Sequence, residues 1–276
     1  MNMNTPIPQQ ARAKRLEIEK YVYKNGTNAA LSYAEDSDEY KRFRKSIERA
    51  FMSQIHSIAK YKEVLPILIT LAKAQGGPLV DQVGVLLAKV PLSDKIDLEA
   101  YLVWAGTQGG QAFVDKMGID GIFGLKDQRI IDYFSDYSKL LIQNVDKYTK
   151  EWIAGKIQEG KDKGFTPFEI QQLLIDEGKK ISAIRAERIV LTETAKAMAY
   201  IESEAARKAG IKTLIWRTSI DERVCAICEP LEGKEAPPGE DFEGGYQVPA
   251  HVSCRCYYEE VVPDNWVIPE KMWLGE

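Results

Sequence analysis

The fold class follows from residues 130–160, IIDYFSDYSKLLIQNVDKYTKEWIAGKIQEG. The apolar side chains of this stretch recur every three or four residues, at Ile130, Phe134, Tyr137, Leu141, Val145, Tyr148 and Trp152. Because an α-helix repeats every 3.6 residues, this spacing predicts one long helix with a continuous apolar face. Gly160 and Gly164 are expected to end that helix.

Further helices are predicted upstream of this stretch. Apolar residues at helical spacing indicate helices over residues 38–62, 63–75, 79–90 and about 97–117. A glycine-rich loop from Gly118 to Gly124 comes next. We take it as the boundary between an N-terminal helical region, residues 1–125, and a second domain, residues 126–276.

A capping motif precedes the next helix. In Thr166-Pro167-Phe168-Glu169, the threonine can cap the helix, the proline suits the first helical position and the glutamate can reach back to the cap. This helix is expected to run to about Glu177 and to stop at Gly178. A separate helix is then predicted from about residue 183 to residue 209.

The pattern changes after Gly210. Leu214-Ile215-Trp216 is a short strand-like run, and prolines, glycines and cysteines dominate from there on. A segment below about 70 residues usually needs a disulfide, a metal or a docking partner to fold. The predicted fold class is therefore mainly α, a helical bundle with a small C-terminal α+β module at about residues 211–262.

Charge is distributed unevenly along the chain. The 276 residues have a formal net charge of −4, which argues against a general nucleic-acid coat. Residues 1–62 hold 12 Lys/Arg and 7 Asp/Glu, a net charge of +5, whereas residues 221–276 hold 4 and 13, a net charge of −9. The basic N-terminal segment is a candidate for contact with DNA or an acidic partner, and the alternative is a solvated helix face.

The chain opens with no apolar stretch of the kind that a signal peptide needs. It also contains no run of about 20 apolar residues, the length that a membrane span requires. We therefore expect a soluble protein that makes no membrane contact and stays in the reducing compartment where it is made.

Every cysteine of the chain falls within one window of 32 residues. Cys225 and Cys228 form C-x2-C, and after a gap of 22 residues His251, Cys254 and Cys256 form H-x2-C-x-C. Two-residue spacing lets both thiolates of a tight turn face one cation, and alternation along an extended chain puts Cys254 and Cys256 on the same side. Zinc takes four tetrahedral ligands. Four of the five side chains are therefore predicted to hold a structural Zn²⁺: Cys225, Cys228 and Cys256, with either His251 or Cys254.

Other interpretations of the cysteines are weaker. Free buried thiols would not need to cluster, and disulfides are rare in a reducing compartment. A thioredoxin-like pair belongs near a βαβ pattern, which this sequence lacks. A catalytic zinc keeps an open position and usually has a carboxylate base nearby. Glu229 and Glu232 are the nearest acids in the sequence, and we interpret them as solvated surface residues.

Four stretches occur here in the order and spacing of a known family. They are the helix RIVLTETA at residues 188–195, WRTSIDERVCAIC at residues 216–228, the turn Leu231-Glu232-Gly233, and PAHVSCRC at residues 249–256. With them, residues 181–260 resemble the phage Mu F-like family of minor head proteins, also called the phage head morphogenesis family. The family pattern usually has an Arg-Thr-Glu run in the helix, and here Leu191 stands in place of that arginine. Arg188 and Glu193 are expected on the solvated surface.

The resemblance implies a minor structural protein of a tailed-phage head. Such proteins are few per particle, associate with the portal or the inner capsid, and aid assembly, DNA packaging or delivery. The implied partners are the portal protein or the major capsid protein, with packaged DNA as a candidate for the basic N-terminal segment. The implied location is the virion, after a stage in the host cytoplasm, and the N-terminal region is a candidate partner-binding region.

Two alternatives belong to other functional classes. A zinc-dependent nuclease or other hydrolase needs a base and a clamp for phosphate, yet residues 221–276 have a net charge of −9 and one histidine. A zinc-ribbon nucleic-acid binder needs a basic surface with interleaved aromatic residues, and only the N-terminal segment approaches that composition. The sequence therefore favours a protein that is not an enzyme.

Overall fold

The computed structural model describes residues 35–59, 64–72, 77–119, 122–219, 224–269 and 273–274. These residues are mainly helical, as the sequence predicts. The α-helices are α1 (Asp38–Ala59), α2 (Val64–Leu71), α3 (Gly77–Leu87), α4 (Leu98–Lys116), α5 (Gln128–Asp162) and α6 (Pro167–Lys208). The strands are β1 (Gly124–Leu125), β2 (Leu214–Arg217), β3 (Glu235–Ala236), β4 (Tyr257–Glu260) and β5 (Trp273–Leu274). None of the helices in the described ranges combines the length and the apolar character of a membrane span.

The chain forms two compact units, each assembled from separated segments. The helical unit comprises Lys41–Glu99 and Tyr133–Arg188. The cysteine unit comprises the described residues within Met1–Tyr40, Ala100–Asp132 and Ile189–Glu276. The predicted domain boundary at residue 125 stays a prediction. More than half of the basic segment, residues 1–34 and 60–62, lies outside the described residues.

Aliphatic side chains from five helices form the core of the helical unit. They come from α1, α2, α3, α5 and α6 and include Ile55, Ile58, Leu65, Leu68, Leu79, Val83, Leu87, Ile153, Ile157, Ile170 and Leu174. Burying one such side chain contributes about 1.5–3 kcal/mol relative to leaving it exposed. This core, rather than the helical propensity of any single segment, stabilises the unit.

The predicted apolar face of α5 is confirmed at its start and at Trp152, which packs against the core, but it is wrong at Tyr148. Ile130 and Phe134 are buried, but Tyr148 is 63% exposed. Ile153 belongs to the core and fixes which side of the helix faces inward. Because five residues turn a helix by about 140°, Tyr148 lies on the opposite side. The helix ends as predicted near Gly164, which has a left-handed φ of 72°.

The predicted break at Gly178 is wrong, because α6 is one helix of 42 residues. Its start has the predicted capping geometry: the backbone N–H of Thr166 donates to Glu169 Oε2 at 2.7 Å, and the N–H of Glu169 donates to Thr166 Oγ1 at 3.3 Å. Gly178 lies within the helix, where an added Cβ would stand 2.9 Å from Ile55 Cδ1. This glycine therefore allows close packing against Ile55 instead of ending the helix.

The cysteine unit contains a close crossing of α4 and α6 and a small antiparallel sheet. A Cβ added to Gly109 of α4 would stand 2.4 Å from the backbone oxygen of Met198 on α6, so only glycine permits this approach. The sheet has the antiparallel order β3-β2-β4. Trp216 of β2 is fully buried with its ring centroid 5.3 Å from that of Phe242. The strand predicted at Leu214-Ile215-Trp216 is confirmed as β2, and β1 pairs with β5 in parallel.

Candidate metal centre

A tight turn after β2 presents the first two candidate ligands. The backbone N–H groups of Cys228 and Glu229 both donate to the carbonyl oxygen of Cys225 at 3.0 Å. The N–H of Cys228 also points at Cys225 Sγ, 3.4 Å away. A short 3-10 helix, Glu229–Leu231, follows directly. Two-residue spacing on this turn brings both sulfurs to one side, as the sequence predicts.

The other three candidates lie on the segment that leads into β4. The backbone N–H of Cys254 donates to the carbonyl oxygen of His251 at 3.1 Å. Between them Ser253 has a left-handed φ of 59°, and its N–H donates to Thr192 Oγ1 on α6 at 3.3 Å. These bonds turn the chain and fasten it to the helix. Cys256 follows at the entry to β4.

The structure brings all five predicted donors together in two groups of three. Cys225, Cys228 and His251 form one group, and Cys228, Cys254 and Cys256 form the other, with the donor atoms of each group within 4.8 Å of one another. His251 Nε2 lies 3.1 Å from Cys225 Sγ and 3.2 Å from Cys228 Sγ, and the sulfurs of Cys228 and Cys254 are 3.8 Å apart. Ligands of a tetrahedral zinc stand about 3.5–3.8 Å apart. Small movements of these side chains would therefore bring the donor atoms to the distances that a zinc ion requires.

Hydrogen bonds and burial set the thiol pKa values apart. The bond with the Cys256 thiol lowers the pKa of Cys254 to about 5, although burial opposes this change. The same bond, followed by burial, raises the pKa of Cys256. Burial raises the pKa of Cys228 to about 12. A metal ion binding these sulfurs would have to displace their protons, so its affinity would rise with pH.

His251 is oriented by its own backbone neighbour. Its Nδ1 lies 2.9 Å from the carbonyl oxygen of Val252, which fits donation by Nδ1–H. That bond leaves Nε2 as the nitrogen with a free lone pair, and Nε2 is the atom beside the two sulfurs. A second hydrogen bond of this kind commonly orients histidine ligands in metal sites.

A small open pocket of about 40 Å³ adjoins the donors. Four of the five candidate ligands line it, namely Cys225, Cys228, His251 and Cys256. Thr218, Ser219, Val224, Ser253 and Arg255 complete its wall. The donor set is rich in sulfur, and Cys228, Cys254 and Cys256 are buried. Such a set is typical of a structural metal site rather than a catalytic one.

Glu232 has a structural role that the sequence did not indicate. Glu232 is exposed, as expected, but its Oε2 also accepts from the N–H of Thr218 at 2.5 Å and from Thr218 Oγ1 at 2.7 Å. Its Oε1 lies 3.0 Å from Arg217 Nη1. Burial raises the pKa of Glu232, but these bonds outweigh it and the pKa is lowered. The carboxylate thus joins the end of β2 to the turn after the 3-10 helix.

The Thr-Glu-Thr run of α6 also supports the site, which sequence reasoning missed. Thr192 accepts the N–H of Ser253, and Thr194 Oγ1 lies 2.6 Å from the hydroxyl of Tyr101 in the buried interior. Glu193 is 7% exposed, so its expected place on the solvated surface is wrong, whereas Arg188 is exposed. Two threonines inside a helix were the available signal, because threonine is uncommon there without a specific bond.

Comparison with known proteins adds one finding. Residues 151–259 match the family model described as "Phage Mu protein F like protein". The matched range contains the last third of α5, all of α6, β2, β3, most of β4 and all five candidate ligands. No curated protein and no solved structure matches the chain.

Proposed function

Residues 151–259 belong to the phage Mu F-like family of head morphogenesis proteins, and from that premise we propose that this chain is a minor structural protein of a tailed-phage head. It associates with the portal or the inner capsid and aids assembly, DNA packaging or delivery. The family match carries this proposal, since it covers the whole candidate metal centre. The family is a structural one, which supports a role that is not enzymatic.

The proposed cofactor is one structural Zn²⁺. We assign its ligands to Cys225, Cys228, His251 and Cys256, because these four donors line the same pocket. Cys254 is then the fifth candidate, and it hydrogen-bonds the thiol of Cys256. The ion would cross-link the turn after β2 to the segment before β4, which ordinary packing holds poorly in so small a module.

The proposed partners are the portal protein or the major capsid protein. The net charge of −9 over residues 221–276 favours a basic surface on the partner. DNA contact through the basic segment, residues 1–62, is a further proposal that rests on sequence charge. The proposed location is the virion, reached from the host cytoplasm.

The decisive experiment assembles heads from the portal, capsid and scaffold proteins of the source phage, with and without this chain. We expect the chain in purified heads at a few copies per particle, detected by quantitative mass spectrometry. Cys228→Ser should reduce its incorporation, while Cys254→Ser, the same chemical change at the thiol outside the proposed ligand set, should not. Heads that exclude the chain, and that assemble and package DNA equally well without it, would contradict the proposal.

A further inference from the structure

Three charged side chains from separate elements meet inside the cysteine unit. Lys116 Nζ at the end of α4 lies 2.5 Å from Glu260 Oε2 of β4 and 3.2 Å from Glu202 Oε1 of α6. It also donates to the carbonyl oxygen of Tyr258 at 3.1 Å. We call Lys116, Glu202 and Glu260 the Lys116 cluster. Its contacts join β4, the strand that follows Cys256, to both helices.

The charges of the Lys116 cluster do not balance when all three groups are ionised. Two carboxylates face one ammonium, so the net charge is −1. The Glu260 side chain is 1% exposed and that of Glu202 is 13% exposed. Glu260 Oε1 is buried without a hydrogen-bond partner among the described residues. An uncompensated buried charge is costly, and one bound proton would remove it.

The surroundings of Glu202 favour binding of that proton. Burial raises its pKa most strongly, Lys116 lowers it, and the Glu260 carboxylate raises it again, so that the pKa reaches about 7. Burial alone would lower the pKa of Lys116, but the two carboxylates outweigh burial and the pKa is raised, so the ammonium stays charged. The charged or titratable groups facing Glu202 include Lys116, Glu260 and the phenol of Tyr258.

We propose that the Lys116 cluster is a pH-sensitive latch that holds β4 tightly against α4 and α6 when Glu202 is protonated, and more loosely when that proton is lost. This role is independent of the metal and of the family function. Glu202 and Glu260 lie 86 and 144 positions after Lys116 in the sequence, so the cluster exists only in the folded chain.

The direction of the pH dependence follows from the raised pKa of Glu202. The folded form binds the proton more tightly than the unfolded chain, in which a glutamate titrates near 4.5. The added stability is therefore fully present below about pH 4.5 and is lost as the pH rises through about 7. One linked proton changes the opening equilibrium of β4 by at most about tenfold per pH unit within that range.

Hydrogen exchange of the full-length chain, purified with its metal, tests the latch. Exchange of the peptide covering β4 is measured from pH 5 to pH 8 and corrected for the intrinsic dependence of amide exchange on pH. In the wild type, we expect opening to increase several-fold per pH unit up to about pH 7 and then to level off. In Glu202→Gln, which stays neutral at every pH, the profile should be flat. Glu259→Gln, on the same strand but exposed and paired with Arg217, should keep the wild-type profile.

A flat wild-type profile, or an unchanged slope in Glu202→Gln, would overturn the proposal. If Glu202→Gln does not fold, a second measurement on the wild-type protein tests the proposal. In wild-type protein labelled with ¹³C at the glutamate carboxyl groups, one resonance should titrate near neutral pH. Titration of every glutamate below about pH 6 would refute the latch without any variant.

Discussion

Replacing Cys228 by serine tests the metal centre most directly, because this thiol belongs to both groups of donors. Its sulfur lies 3.2 Å from His251 Nε2 and 3.8 Å from Cys254 Sγ, so Cys228 lies where the two groups of donors meet. Serine keeps the approximate shape of the side chain but binds zinc far more weakly than a thiolate does. The variant therefore removes one ligand and leaves the fold otherwise intact.

The expected change in the Kd follows if the four ligands contribute equally to the binding free energy of zinc. A structural zinc site binds with about 10–16 kcal/mol, so one ligand contributes about 3 kcal/mol and its loss raises the Kd about 100-fold. At a zinc concentration 1,000 times the wild-type Kd, binding stabilises the wild type by about 4.1 kcal/mol. The same zinc concentration is about 10 times the Kd of the variant and stabilises it by only about 1.4 kcal/mol. The expected loss is about 2.7 kcal/mol.

Competition with a chromophoric chelator measures the Kd, and elemental analysis measures the bound metal. Wild type should carry about one zinc per chain. Cys225→Ser and Cys256→Ser should weaken binding about as much as Cys228→Ser does. Cys254→Ser should change the Kd by about tenfold at most, since Cys254 acts through its hydrogen bond to Cys256. Wild-type affinity in Cys228→Ser, or no metal in protein prepared without chelator, would refute the assignment.

Three further predictions concern packing, capping and catalysis. Gly109→Ala should destabilise the chain by about 1–3 kcal/mol in urea unfolding, because the new methyl meets the Met198 backbone at 2.4 Å. The control Gly155→Ala, whose new methyl has no atom within 4 Å, should stabilise the chain by about 1 kcal/mol. Equal stability of the two variants would contradict the close helix crossing. Thr166→Ala should cost about 1 kcal/mol by removing the cap of α6, and an unchanged urea midpoint would show that the cap contributes nothing. The zinc-loaded chain should leave plasmid DNA and RNA intact; cleavage that Cys228→Ser abolishes would support the hydrolase alternative instead.

Local patterns in the sequence were sufficient for much of the fold. The spacing of apolar residues predicted most helices, and Thr166 to Glu169 predicted the start of α6, because both signals act within one or two helical turns. The cysteine and histidine spacing likewise predicted which side chains meet, since two short turns place them. The assignment of zinc itself stays a proposal.

Contacts between distant segments decided the rest. Gly178 alone predicts a helix end, yet packing against Ile55 keeps α6 continuous, and Ile153 in the core turns Tyr148 outward. The choice between His251 and Cys254 as the fourth ligand depends on where the two turns approach each other. The Lys116 cluster leaves no trace in local sequence, because its charges lie on three elements far apart in the chain. The sequence by itself determined which segments are helical and which residue types can bind a metal, since these depend on neighbours along the chain. Only the tertiary structure determined which side chains are buried together, because burial and pKa depend on neighbours in space.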